Sequence, residues 1–273
     1  MKVHFSKYQG TGNDFVLVNN IEGVYPDFTL SQIRFICDRK FGIGSDGFIV
    51  LQQRENHDFY MDFHNPDGSK SFCGNGARCA VKFAGDLGFL DSSSVSFQAI
   101  DGEHEAMLCG DDVKLQMSCS KMPEVIFSGN QDIGSYKKAF FMDTGSPHFA
   151  VYVNELSELN TSNVLSIGRK IRNSSAYAEN GVNVNLIYIH GPDVLSMATY
   201  ERGVEHETLS CGTGATACAL IHAQQREAGS QTILLKTKGG ELQISFERNS
   251  HGVFSNVHLI GPANLIYEGT ISI

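Results

Sequence analysis

No stretch of the 273-residue chain approaches the roughly 18 consecutive apolar residues that a membrane-spanning helix requires. Its first residues, MKVHFSKYQGTGNDF, contain no apolar core of an export signal, so a cytoplasmic location is expected. Positive charge is also scarce. With 21 Lys and Arg against 30 Asp and Glu, the net charge of −9 argues against nucleic acid or an anionic membrane as a partner. None of the seven cysteines forms a C-x-x-C pair, and their number is odd, so free thiols are expected rather than a disulfide scaffold. No low-complexity linker divides the chain, which predicts closely packed halves around a cleft. What remains is a soluble globular protein, 41% hydrophobic and 19% charged, large enough for one or two domains. A small molecule fits this profile as its partner.

An internal repeat organises the rest. VHFSKYQ, GTGND and FVLVNN read as strand, turn and strand, and AFFMDTGSPHFAVYV repeats that layout. Each half then carries a segment of alternating character that ends in polar residues, HDFYMDFHNPDGSKSF and DVLSMATYERGVEHETLS. A cysteine motif follows each, FCGNGARCA at Cys73 and SCGTGATACA at Cys211. Small and apolar residues then recur at helical spacing: Ala80, Val81, Phe83, Ala84 and Leu87, and Ala217, Ala219, Leu220 and Ala223. Helices this poor in charge are expected to be buried inside a surrounding sheet. VSFQAI, VKLQMS, VNVNLIYI, TILLKT, LQISF and VFSNVHLI read as strands, and their short turns favour antiparallel pairing. A break at Lys121-Met122-Pro123 predicts halves of residues 1–120 and 121–263, with the tail 264–273 returning to the first.

A cysteine at a helix entrance sits at the positive end of the helix dipole, beside N–H groups without helical partners. Both favour thiolate over thiol. The glycines that follow let backbone donors approach a ligand closely. A lone cysteine in this setting is more often a packed thiol, but two in matched contexts point to chemistry. Two such thiols on opposite faces of an α-carbon can invert it, one removing the proton and the other donating one. The charge that develops on the α-carboxylate is met by the N–H groups, each worth about 3–4 kcal/mol in the transition state. Cys79 and Cys218 fall within the helices and read as structural, while Cys37, Cys109 and Cys119 show no special context. A zinc site from Cys73, Cys79, Cys211 and Cys218 is a competing arrangement, although neither spacing matches a common zinc knuckle.

GTGNDFVLV, DRKFGIGSDG, NPDGSKSFCGNGARC, GSPH, NGVNVN, YERGVEHET and SCGTGATAC, in that order, resemble the diaminopimelate epimerase family over nearly the whole chain. The resemblance implies cofactor-independent, metal-free interconversion of LL- and meso-diaminopimelate, serving lysine and often peptidoglycan synthesis. It implies an α+β fold of two pseudo-symmetric domains, each a mostly antiparallel sheet wrapped around a central helix, with the active site between them. Carried over by motif, Cys73 and Cys211 are the acid/base pair. Gly74 with Asn75, and Gly212 with Thr213, hold the reacting carboxylate. Asn13, Asn65, Asn183 and Arg202 recognise the substrate, chiefly its far end, and Glu201 and His148 stand beside the reacting centre. The resemblance also implies a homodimer. Two positions depart from the family pattern: Ser146 stands where many members have Asn, and Gly47 where some have Gln. Racemases of other amino acids, such as histidine, resemble the same apparatus and form the alternative, with proline-type racemases a weaker match. A non-catalytic thiol or metal-binding protein is the reading from another class.

Overall fold

A computed structural model describes residues 1–117, 124–126, 138–224 and 229–273; Cys119 and the Lys121-Met122-Pro123 break lie outside these. The chain forms two compact units, Met1–Gln116 with Ile260–Ile273, and Met117–Leu259.

In the first unit, β1 (Lys2–Gly10) and β2 (Asn13–Asn20) form a hairpin closed by Thr11 and Gly12. Both turn residues have positive φ, 51° and 82°. That pair of left-handed residues gives the two-residue turn whose twist matches its strands. Helix α1 (Leu30–Cys37) crosses to β3 (Gly47–Gln52), parallel to β2, and β4 (Phe59–His64) returns antiparallel to β3. Helix α2 (Gly74–Asp86) then crosses to β5 (Ser94–Ala99), parallel to β4, and β6 (Gly102–Cys109) and β7 (Asp112–Gln116) follow antiparallel.

The second unit repeats this order. Strands β8 (Glu124–Ile126), β9 (Ala139–Asp143) and β10 (Pro147–Tyr152) run antiparallel. Helix α3 (Thr161–Arg172) crosses to β11 (Asn183–Gly191), parallel to β10, and β12 (Val194–Glu201) returns antiparallel. After the short β13 (His206–Thr208), α4 (Gly212–Ala223) crosses to β14 (Gly229–Thr237), parallel to β12. Strand β15 (Gly240–Arg248) pairs antiparallel with β14, and β16 (Phe254–Pro262) follows. Strand β17 (Asn264–Ser272) lies antiparallel to β1, as β8 does to β9. Most pairings are antiparallel, as the turn content predicts. The parallel ones occur where a helix supplies the long crossover that parallel neighbours need.

Each unit wraps its sheet around the helix that follows a cysteine. Helix α2 packs against β1, β2, β3, β4, β6, β7 and β17, and α4 against β9, β10, β11, β12, β14 and β15. Their burial explains the small residues: Ala77, Ala80 and Ala84, and Ala215, Ala217, Ala219 and Ala223, allow strands close on every side. The other helices were not evident from periodicity. Helix α1 starts at a Thr29–Gln32 capping box and buries Ile33 and Ile36 with Val16, Val18, Phe48 and Val50. Helix α3, capped by Asn160, buries Val164 and Ile171 with Phe149, Val184 and Tyr200. There a Cβ on Gly168 would come within 2.3 Å of the Tyr200 ring. Gly168→Val is therefore expected to destabilise the protein by about 1–3 kcal/mol through overpacking. Denaturant unfolding checks this, and an unchanged midpoint contradicts it.

Candidate active site

Cys73 and Cys211 are the N-cap residues of α2 and α4, and their backbones match: φ −132°, ψ 115° and φ −132°, ψ 111°. The first intrahelical bonds run from the Ala77 N–H to the Cys73 carbonyl (2.8 Å) and from the Ala215 N–H to the Cys211 carbonyl (2.9 Å). The amides of Gly74 and Asn75, and of Gly212 and Thr213, precede these bonds at the positive end of each helix. Each motif's second glycine keeps this entrance tight. A Cβ on Gly214 would meet Asn185 Oδ1 at 2.8 Å, and one on Gly76 would meet Ile49 Cδ1 at 3.3 Å.

In the first unit, the Gly76 N–H donates to Cys73 Sγ at 3.5 Å, and Sγ lies 3.8 Å from Asn13 Oδ1. That same oxygen accepts from Asn75 Nδ2 at 3.3 Å, while Asn13 Nδ2 donates to Asp46 at 2.7 Å. Asn13 therefore sits against the cysteine. Behind Asn75 lies Arg78, fully buried. It donates to Asn75 Oδ1 (2.9 Å) and Thr11 Oγ1 (3.1 Å). Burial lowers its pKa, and the charges of Cys79, Cys73 and Asp112 oppose that shift. Asp46 and Asp14 are both bound by Arg39, and Asp14 also by Lys7. Burial alone would raise the Asp14 pKa, but hydrogen bonds from Arg39 and Lys7 hold it well below the usual carboxylate range. Asn65 donates through Nδ2 to Ser69 and Ser71, which turns its carbonyl oxygen the other way.

In the second unit, Cys211 Sγ lies 3.5 Å from Thr213 Oγ1, which lies 3.0 Å from His148 Nε2. Asn185 Nδ2 meets His148 Nδ1 at 3.1 Å, and Thr199 Oγ1 donates to Asn185 Oδ1 at 2.9 Å. Thr144 Oγ1 donates to the Thr213 carbonyl at 3.0 Å. Burial, reinforced by the positive charge of Arg202, pushes the His148 pKa down to about 3, so the ring is neutral. Asn183 donates to Ser146 Oγ (2.8 Å) and the Pro147 carbonyl (3.1 Å), and accepts the Arg202 N–H (2.8 Å). Arg202 is exposed, with Nη1 on the Asn180 carbonyl, and Glu201 accepts from Thr208 at 2.7 Å. Ser146, Asn183 and Arg202 thus form one group, and His148, Thr213 and Cys211 another.

The structure also explains Gly47. A Cβ there would come within 2.6 Å of the Phe63 ring, which packs edge-on against Phe15, so the room a longer side chain needs is filled. Cys79 and Cys218 are wholly buried; burial pushes the Cys79 thiol up to about 12 and raises that of Cys218 as well. Sequence reading missed Thr11, Asp46, Arg78, Asn185 and Thr199, which contact the site residues from behind. Only Arg78 carried a signal, as a charge set among the small residues that follow Cys73. Among the described residues, no three His, Cys, Asp or Glu side chains group to hold a metal, and no helix is long and apolar enough to cross a membrane.

Two mostly antiparallel units of like topology, each presenting a helix-capping cysteine, define the racemase-like isomerase fold. Similar solved structures include a phenazine biosynthesis protein of the PhzF family from Bacillus anthracis, with TM-score 0.77, 14% identity and full coverage of both chains. A hydroxyproline epimerase from Agrobacterium vitis has TM-score 0.66 and 16% identity, with 99% of this chain and 92% of that one covered. The family model for diaminopimelate epimerase matches residues 5–123 and 140–266. Diaminopimelate epimerases of Flavobacterium psychrophilum and Chlorobaculum tepidum are each 40% identical over 97% of this chain, covering 98% and 99% of their own lengths. The chain belongs to the diaminopimelate epimerase family.

The low pKa of His148 has a consequence for folding. The unfolded chain takes up this proton as pH falls below about 6.5, whereas the folded protein resists it until about 3. Stability contributed by the neutral ring is present above that window and is lost as pH falls through it. The stability advantage of the wild type over His148→Gln should therefore shrink between about pH 7 and pH 5. Denaturant titrations at several pH values measure it, and a pH-independent difference contradicts the assignment.

Proposed function

We propose that the protein epimerises LL-2,6-diaminopimelate to the meso form, with Cys73 and Cys211 serving opposite faces of one α-carbon. One thiolate takes the α-proton, and the other cysteine's S–H delivers a proton to the opposite face. The enzyme thus ends each turnover with the sulfur roles exchanged. Negative charge passes onto the α-carboxylate, where the amides of residues 74, 75, 212 and 213 stabilise it. One sulfur must be ionised and the other protonated, so the rate is bell-shaped in pH. The observation that carries this reading is the matched N-cap geometry of the two cysteines.

Distal recognition falls to the group around Asn183. Arg202 suits bidentate capture of the far carboxylate, and the outward carbonyl of Asn65 suits an ammonium. Glu201 adds an acceptor beside the reacting centre, where a carboxylate suits the substrate ammonium. Ser146 takes the Asn183 amide, so it shapes this group through Asn183. The reaction needs no cofactor, takes place in the cytoplasm, and supplies lysine and wall synthesis. The protein acts as a homodimer; exposed Leu265, Ile266 and Tyr267 on β17 support that assembly by offering apolar surface to cover.

Cys73→Ala and Cys211→Ala should each abolish epimerisation, by at least about a thousandfold, while unfolding as cooperatively as the wild type. Full activity in either refutes the two-thiol mechanism. Arg202→Met should raise KM for diaminopimelate by about tenfold or more, the loss of a charge-assisted bidentate contact. An unchanged KM contradicts its role, and preferential turnover of L-histidine by the wild type would move the substrate to another amino acid.

A further inference from the structure

Asn185 is wholly buried on β11, where it pairs with Ala150 of β10 and Thr199 of β12. Its amide cannot flip. Nδ2 lies 3.4 Å from the Phe149 carbonyl, which only accepts, and Oδ1 receives the Thr199 hydroxyl at 2.9 Å. The N–H it presents to His148 Nδ1 at 3.1 Å makes that nitrogen an acceptor. A neutral imidazole with Nδ1 accepting carries its proton on Nε2, 3.0 Å from Thr213 Oγ1. Thr213 Oγ1 receives that proton's hydrogen bond, which leaves its own hydroxyl hydrogen available to Cys211 Sγ, 3.5 Å away, a contact in which either atom can donate.

We propose that Asn185 is a positioning residue: by fixing the tautomer of His148 it orients a chain of hydrogen bonds, through Thr213, that ends as a donor on Cys211 sulfur. The chain favours Cys211 as thiolate. The first unit offers its cysteine both an acceptor and a donor. Asn13 Nδ2 is committed to Asp46, so Asn13 turns its oxygen to Cys73 and favours the protonated S–H. The Gly76 N–H also reaches Cys73, and Arg78 lies behind it with Nη1 and Nη2 on Asn75 and Thr11. The other titratable groups around the Cys211 end of α4 are Asp143 and Glu201 at the ends of β9 and β12, Arg202 beside Glu201, and Cys218 further along α4. Asp143 accepts the Gly145 N–H and Glu201 the Thr208 hydroxyl; burial, with the charge of Arg202 adding to it, keeps His148 neutral.

The inference rests on Cys211 being a reacting thiol, and its first two tests need no diaminopimelate. Histidine ¹⁵N spectra of the wild type, assigned by difference from His148→Gln, should show His148 as the neutral Nε2–H tautomer; an Nδ1–H signal overturns the proposal. In a Cys73→Ala background, the pH midpoint for alkylation of Cys211 by iodoacetamide, read by mass spectrometry, should rise by about one unit on Asn185→Leu. Thr199→Val, which removes one of the two contacts that hold the amide, should raise it by less. Unchanged midpoints in both variants refute the proposal. With Cys73 intact, Asn185→Leu should lower kcat about tenfold with little change in KM, which a general loosening of the site would not do.

Discussion

Everything in this fold turns on holding a cysteine sulfur at the mouth of a helix that the sheet encloses. The N-cap position gives the sulfur an extended backbone, φ near −132° in both copies, beside the amides that open the helix. The second glycine of each motif is dictated by the same constraint, because Asn185 or Ile49 occupies the space a side chain would need. Helices rich in alanine and glycine follow, since strands close in on nearly every side. The surrounding sheet in turn excludes water from the helix, which strengthens the field at its entrance.

The repeat preserves this framework while the surroundings of the two sulfurs diverge. Behind the first entrance stand a buried arginine and a clamp of aspartates, arginine and lysine; behind the second stand a neutral histidine, two threonines and a buried asparagine. Thr216 occupies the place in the second motif that Arg78 takes in the first, and its hydroxyl donates to the Gly212 carbonyl. Such divergence suits a catalyst whose two acid/base groups begin each turnover in different protonation states. Duplication supplies the symmetry of the carbon; the neighbouring side chains break it.

Much of this was legible in the residues. The paired motifs, the hairpin before each and the small-residue helices are local patterns, and they predict the elements that carry Cys73 and Cys211. Helices α1 and α3 were not legible, since α1 is short and the small, polar stretch TSNVLSIGRK in α3 masks its apolar face; their capping residues Thr29 and Asn160 were the available signal. The parallel strand pairs followed from those missed crossovers as much as from α2 and α4. The contacts behind the site were hidden for a different reason. Asn185 and Thr199 lie on separate strands, and Asp46 and Asn13 are 33 residues apart, so only the sheet register brings them together. Asn13 illustrates the point: its motif was legible, while its contacts with Asp46 and Cys73 were not.

The most direct test is proton exchange at the α-carbon. Reduced protein in D₂O, given LL-diaminopimelate and no added cofactor, should produce the meso form with deuterium at the inverted carbon, as followed by NMR. Inversion without deuterium at that carbon, or no exchange at all under reducing conditions, would contradict a mechanism in which two thiols remove and return the proton.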